Sequence, residues 1–392
     1  MKVVFASHTF FSPVFVVGSH HLARAAARSG HAVWHLSSAF SLMHAPFALA
    51  RRDYRARLRL AATDGRRVEP NLWESVPLTL APWPLLRRTP TAESGYLWSL
   101  RSLRRQAARL GFDRPDLLLI DEPRMSSLLA TLRPRIAVYR PTDVYRDLKA
   151  DPSLDAVERR LLQRVDGVVG TSAVVLEHAL RLGRVELPSM LLENGVDVEH
   201  FRLPRSEPED LRAVRHPRAI YVGALDHRFD GAALALAAQR NPTVNFVVIG
   251  GEPAAPGGPA GNIHQLGPRS YEEVPAYLQH SDLAFMPLAR VPANEGRSPM
   301  KIFEFGAAGL PVVASTSAEL RRRALPFVHL ADSAEALALL CGQVARQGRG
   351  PLGELARRSA AEHAWPDKAR RLFEFAASLE PRPCPACPTP EG

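Results

Sequence analysis

At 392 residues with 46% hydrophobic content, the chain is long enough for two domains with separate cores and too apolar to be a disordered polymer. Fifty Lys and Arg against 40 Asp and Glu leave +10 at pH 7 and a pI of about 10.0, a balance that suits anionic surfaces and phosphate-bearing ligands. Three cysteines rule out a disulfide framework.

The chain opens on a strand, Lys2 to Ser7, with His8 just past its C-terminal end. Met1 leads straight into that strand, which predicts no signal peptide. Gly18 to Ser29 has helical composition and closes at Gly30; Ala32 to Leu36 is a second strand. From Ser37 to Arg109 the pattern is less regular. Phe40, Leu42, Met43, Phe47 and Leu49 precede Arg51, Arg52, Arg55, Arg57 and Arg59, with Trp73, Trp83 and Trp98 beyond. This stretch is either a helix-and-loop insertion with a solvated basic face or a patch that lies on an anionic membrane. No apolar run is long enough to span a bilayer. The expectation is a cytoplasmic protein, at most peripheral on the inner face of the membrane.

Asp116 to Asp121 is a buried strand ending in the acids Asp121 and Glu122. Arg135 to Arg140 is the next, and it runs into Asp143. A carboxylate just past a strand end serves either as a turn or N-cap residue or as the acceptor of a substrate proton. Ser153 to Arg164 reads as a helix, and Asp166 to Gly170 as a strand that turns into a further helix at Thr171 or Ser172. Asn194-Gly195 is a turn. The chain then continues through Pro204 and Pro208, which sets a boundary near Leu203.

Ala219 to Val222 is a strand with a Gly223 turn, and Asn245 to Ile249 is another with Gly250-Gly251. Glu252 to Gly261 is a surface loop. A short strand at Ile263 to Leu266, a helix at Tyr271 to Gln279 and a strand at Asp282 to Met286 follow. Arg290 to Arg297 reads as a mobile loop. Lys301 to Ala308 is a short helix ended by Gly309 and followed by the strand Val312 to Ser315. Lys301 and Glu304 share one side of its first turn, beside free backbone N–H groups and the positive end of the helix dipole. That combination suits a nucleoside diphosphate, with Lys301 and the N–H groups on phosphate oxygens and Glu304 on ribose hydroxyls; the alternative is a solvated Lys–Glu pair. Phe327 to Leu330 is a strand, and helices run from Ser333 to Gln347 and from Gly353 to His363. Trp365-Pro366 breaks the pattern, and Lys368 to Leu379 is a last amphipathic helix. Cys341 reads as a buried thiol. Cys384 and Cys387 form a C-x-x-C in a Pro-rich tail without the second pair that zinc would need.

The string from Pro299 to Val313, PMKIFEFGAAGLPVV, resembles the P-x-K-x-x-E-[FY]-x-A-x-G-x-P-V-[VI] segment of nucleotide-sugar glycosyltransferases of the GT-B architecture. Asn194 to Phe201, NGVDVEHF, is similar to their N-G-V-D-x-x-x-F crossing signature, and YVGALDHRFD from Tyr221 to their first donor-domain turn. The segment YRPTDVYRDL from Tyr139 resembles the glucuronosyltransferases of the xanthan pathway and related group 1, family 4-like transferases. The resemblance implies an α/β fold of two Rossmann-like α/β/α domains facing an interdomain cleft. Its parts are an acceptor domain at 1–203, a nucleotide-sugar domain at 204–363, a helix crossing back at 364–380 and a flexible tail at 381–392.

It also implies an enzyme that moves a sugar, glucuronate in the xanthan-type relatives, from a UDP-linked donor to a hydroxyl of a glycan, lipid-linked or small-molecule acceptor. Asp143 would be the general base, with His8 orienting the acceptor or the sugar. Gly223, Arg228, Ser298, Met300, Lys301 and Glu304 would hold the donor, without a metal or cofactor. Retaining relatives carry a Glu eight positions before the one matching Glu304; here that position is Gly296 and Glu295 misses by one, which favours inversion. The absent G-x-G-x-x-G fingerprint argues against a dehydrogenase. A sugar-nucleotide epimerase or hydrolase on the same fold, a dead partner subunit and a basic binding protein are the other readings. The arginines lack the interleaved aromatics of a nucleic-acid platform, so no nucleic-acid partner is expected.

Overall fold

The computed structural model describes residues 1–12, 16–49, 52–87, 100–251 and 261–381. Arg51, Trp98, the loop at 252–260, Cys384 and Cys387 lie outside them. The chain divides into two compact units, one of Met1–Phe11, Ser19–Leu192 and Ala369–Gly392, the other of Ser12–Gly18 and Glu193–Lys368.

Unit 1 is built on an eight-stranded sheet. Its strands are β1 (Lys2–Ala6), β2 (Ala32–Leu36), β4 (Arg66–Glu69), β5 (Leu72–Ser75), β7 (Leu117–Ile120), β8 (Ile136–Tyr139), β9 (Gly167–Gly170) and β10 (Ser189–Leu191). Two further strands, β3 (Phe40–Ser41) and β6 (Leu78–Thr79), pair only with each other. The sheet order is β10-β9-β8-β7-β1-β2-β5-β4, parallel except for the β4–β5 hairpin at the edge. The central strands VVFA and LLLI are buried throughout, because helices cover a parallel sheet on both faces and leave no polar side to alternate with.

Unit 2 carries six parallel strands in the order β13-β12-β11-β14-β15-β16. They are β11 (Arg218–Val222), β12 (Asn245–Ile249), β13 (Ile263–Gly267), β14 (Leu283–Met286), β15 (Val312–Ser315) and β16 (Val328–Ala331). Alternate residues feed two cores. Ile220, Val222, Val247 and Ile249 pack on one face with Phe303 and Phe305, whereas Phe246 and Val248 pack on the other with Ala237 and Cys341. Burial pushes the Cys341 thiol up to about 12, so it behaves as an inert small hydrophobe.

Three stretches differ from the sequence expectation. The region 37–109 is not merely helix and loop: it supplies β5, paired in parallel with β2, and the edge hairpin. Trp83 is buried and Trp73 is half-buried beneath the Arg67 guanidinium, so neither is an exposed interfacial ring. Arg290 to Arg297 is no plain loop, since Pro292–Glu295 forms a helical turn. Trp365-Pro366 opens the last helix, Trp365–Ser378, rather than breaking it: a proline in the first turn gives up an N–H that has no intrahelical partner there.

Apart from the short excursion at Ser12–Gly18, the chain passes from unit 1 into unit 2 at Leu192/Glu193, ahead of Leu203, because Val196 and Phe201 are buried in the core of unit 2. Asp197 caps the helix Val198–Arg202 by accepting from the His200 N–H at 3.2 Å. A Cβ on Gly195 would lie 2.5 Å from the His363 carbonyl oxygen, so the chain passes there only without a side chain. In unit 1, the far end of the last helix returns to β9, where a Cβ on Gly167 would come within 2.9 Å of Leu379.

Candidate functional site

Unit 1 brings three loops together at the C-terminal ends of the adjacent strands β1, β7 and β8, the position where open parallel sheets gather ligands. His8 follows β1, Glu122 follows β7, and Asp143 follows β8. His8 Nδ1 lies 3.1 Å from Glu122 Oε2, and its Nε2 lies 2.7 Å from the Tyr145 hydroxyl. Tyr145 donates to the Asp121 carbonyl at 2.6 Å and accepts from the Thr142 N–H at 3.1 Å. The Thr142 hydroxyl donates to Asp143 Oδ2 at 3.0 Å and lies 3.1 Å from the Tyr145 oxygen. Asp143 and His8, the two residues singled out from the sequence, are therefore linked through Thr142 and Tyr145, and His8 continues the chain to Glu122.

The surroundings set the charges. Burial alone would raise the Glu122 carboxyl, but the Arg124 guanidinium and the His8 ring overcome it and hold the group well below the usual carboxylate range. Asp121 is occupied structurally by a buried two-pronged pair with Arg140, at 2.9 and 2.8 Å. Glu122, Thr142 and Tyr145 had no proposed role from the sequence. Their only signal was position, one or two residues beyond a strand end or beside Asp143.

In unit 2 the strand order reverses between β11 and β14, which makes that junction the topological switch point. The loops after these two strands are tied together. Ala289 N–H donates to the Arg228 carbonyl at 2.9 Å, Asp230 N–H donates to the Pro287 carbonyl at 2.9 Å, and the Asn294 amide donates to the carbonyls of Arg228 and Ala289. Asp230 caps the helix Gly231–Arg240, accepting from Ala233 N–H at 2.8 Å. The Arg228 side chain is folded onto Asp226, its Nε 3.0 and 3.1 Å from the two carboxylate oxygens. Gly223 and Gly250 meet backbone to backbone. Gly250 has φ +138°, and a Cβ there would sit 1.7 Å from the Gly223 carbonyl oxygen. The ends of β11 and β12 therefore pack closely through their backbones, with the Tyr221 hydroxyl beside Gly223.

The helix Met300–Ala307 starts after Pro299, which supplies no side-chain cap, so its first N–H groups remain for another acceptor. It ends in a Schellman turn: Gly309 is left-handed at φ +77°, its N–H donates to the Gly306 carbonyl, and Leu310 N–H donates to that of Phe305. Lys301 Nζ lies 3.9 Å from Glu304 Oε2. Glu304 is buried, and its carboxyl takes no hydrogen bond among the described residues. Ser298 is a brace. Its hydroxyl accepts from Asn194 N–H at 3.2 Å and from Arg323 at 2.6 Å, and its carbonyl accepts from the Asn194 amide at 2.8 Å. The Asn194-Gly195 turn thereby fixes the start of the Lys301 helix. A depression of about 1540 Å³ also opens at the ends of β14, β15 and β16, lined by Arg290, Glu295 and the caps Asp230, Ser317 and Ser333. None of Gly223, Arg228, Ser298, Met300, Lys301 and Glu304 lines it.

Burial raises the Glu304 carboxyl above its ordinary value of 4.5, with Lys301 and His200 pulling the other way. The folded chain then keeps a proton that the unfolded chain has released. Stability falls as pH rises from 4.5 through the folded value and stays lower above it. Glu304→Gln should therefore raise the melting temperature of the ligand-free protein at pH 7 to 8. An unchanged or lower value, at a pH where the wild type is folded, would mean that Glu304 has a partner.

Residues 216–343 match the family model of glycosyl transferases group 1, within unit 2. The chain is a GT-B fold protein related to the group 1 glycosyl transferases. A putative teichuronic acid biosynthesis glycosyltransferase, TuaH, of Bacillus subtilis (strain 168) is 28% identical over 191 residues, 45% of this chain and 47% of that one. The chain thus aligns with about half the length of this curated relative. Among solved structures, HepE of Anabaena, in complex with UDP and glucose, superposes with a TM-score of 0.67 at 16% identity over 97% of this chain and all of that one. Sucrose-phosphate synthase of Thermosynechococcus elongatus gives 0.69 at 18% identity over 96% of this chain and all of that one. At such identities the GT-B likeness concerns the fold: two Rossmann-like α/β units, each with a parallel sheet.

Proposed function

We propose that this chain transfers a sugar from a nucleoside diphosphate sugar to an acceptor hydroxyl, with unit 2 binding the donor and unit 1 the acceptor. The observation that carries the reading is Glu304, a buried carboxyl without a hydrogen bond, 3.9 Å from Lys301 on an uncapped helix start. A diphosphate answers Lys301 and the free N–H groups, and ribose hydroxyls answer Glu304. Met300 offers one of those N–H groups. Gly223 stands at the turn after β11, at the switch point, and Arg228 reaches the phosphates by leaving Asp226. These groups take the charge of the departing diphosphate, so the reading needs no divalent metal. HepE, whose solved complexes contain UDP, UDP-glucose or UDP with glucose, supports a UDP-linked donor.

Asp143 is the general base. Thr142 donates to one of its oxygens and leaves the other for an acceptor hydroxyl. His8, held between Glu122 and Tyr145, orients the acceptor. Inversion at the anomeric carbon belongs to this reading, because Gly296 stands where retaining relatives carry a Glu, and the neighbouring Glu295 accepts from Ala318 N–H at 2.8 Å. Proton NMR of the product from an α-linked UDP-sugar should show a β-linkage, and an α-linked product would overturn this assignment.

The acceptor is lipid-linked in this reading. Leu42 and Leu80 follow the paired ends of β3 and β6 and are both exposed, near the helix Arg52–Ala61 with its exposed Arg55 and Arg59. No helix among the described residues is long and apolar enough to cross a membrane.

A further inference from the structure

We infer that unit 1 contains a site for one divalent transition-metal ion of the zinc class, formed by Asp155, Glu158 and His178. Asp155 and Glu158 lie three residues apart on the helix Leu154–Leu162, and His178 lies on the helix Ala173–Leu182 on the other side of β9 in sequence. One ligand atom from each lies within 4.8 Å of the others, and His178 Nε2 is 3.5 Å from Asp155 Oδ1. Each of the three residues also has a buried atom without a hydrogen-bond partner among the described residues: Asp155 Oδ1, Glu158 Oε2 and His178 Nε2. Glu158 as a residue is 1% exposed.

Three orphaned polar atoms in one cluster are costly unless something satisfies them together. The remaining oxygens are already committed. Glu158 Oε1 accepts from the Tyr139 hydroxyl at 2.6 Å, and Asp155 Oδ2 accepts from Arg146 at 2.6 Å. Those outer partners orient the carboxylates as the outer shell of a metal site does.

The donor set selects the ion. An imidazole with two carboxylates suits zinc and its neighbours, whereas magnesium and calcium want more oxygens than this cluster offers. Two carboxylates balance the ion's charge, and a water completes four-coordination. Ligands of a tetrahedral zinc stand roughly 3.4 Å apart for bonds of about 2.1 Å, so small side-chain shifts close the site. Asp155 and His178 keep 17% and 12% side-chain exposure, which leaves a way in. The ion would clamp two helices of unit 1 and take no part in sugar transfer.

The test is zinc titration by calorimetry, with metal analysis by mass spectrometry, on full-length protein carrying C384S and C387S so that the cysteine tail cannot contribute. One zinc per chain is expected, with a rise in melting temperature and weak or no binding of magnesium. His178→Ala and Glu158→Gln should each weaken zinc at least about tenfold. Glu158→Gln keeps the shape and the Tyr139 bond, so it serves if His178→Ala does not fold. No zinc uptake by the parent protein, or uptake unchanged in either variant with native circular dichroism, would overturn the site and leave a cluster that shares protons.

Discussion

Asp143→Asn should lower kcat by about 10²- to 10⁴-fold, the usual contribution of a positioned general base. The substitution is nearly isosteric, and the amide oxygen can still accept from Thr142, so the loop after β8 should keep its place. What disappears is the carboxylate that receives the acceptor proton. UDP-sugar affinity should be unchanged, since the donor residues lie on unit 2. Steady-state rates with saturating donor and acceptor, alongside calorimetric donor binding, separate the two effects. A variant with wild-type kcat would remove Asp143 from the chemistry and leave it as a turn residue.

Lys301→Ala should weaken UDP binding by roughly 10- to 100-fold, matching the loss of a charge-assisted hydrogen bond worth about 1.5 to 3 kcal/mol. Its side chain is 38% exposed, which favours the lower half of that range. Apo stability should hardly move, because the pair with Glu304 is long at 3.9 Å. Direct titration of UDP into wild type and variant gives the ratio, and equal affinities would place the phosphates elsewhere, for instance over the depression bounded by Arg290 and Arg321.

Much of the fold was legible because its strands are buried on both faces. LLLI at Leu117–Ile120 and FVVI at Phe246–Ile249 stand out as unbroken apolar runs, and the Gly-ended helices between them carry their own punctuation. The edge hairpin was not legible. Its strands RRVE and LWES are short and charged, and Glu74 sits at 0% exposure only because the Phe11 N–H and Arg66 reach it. Trp365-Pro366 misled for another reason: a proline reads as a breaker until one sees that it stands in a first turn.

Of the candidate site, the Lys301–Glu304 pair was readable, since three residues on one helix fix the geometry. The network in unit 1 was not. His8 reaches Glu122 and Tyr145 across 114 and 137 residues of chain, so only the assembled sheet brings them together. The use of Ser298 as a brace for Asn194, 104 residues away, was hidden in the same way. The engagement of Arg228 by Asp226, by contrast, spans two residues and was open to a closer reading of the string DHR.

The central claim is that unit 2 binds a nucleoside diphosphate sugar through Lys301, Glu304 and the helix they stand on. A thermal-shift panel of UDP, GDP, TDP and their common sugars tests it most directly, because a ligand that binds only the folded chain raises its melting temperature. The prediction is selective stabilisation by UDP and a UDP-sugar, lost in Lys301→Ala and Glu304→Ala. No shift with any nucleotide, in a sample that melts cooperatively, would contradict the account.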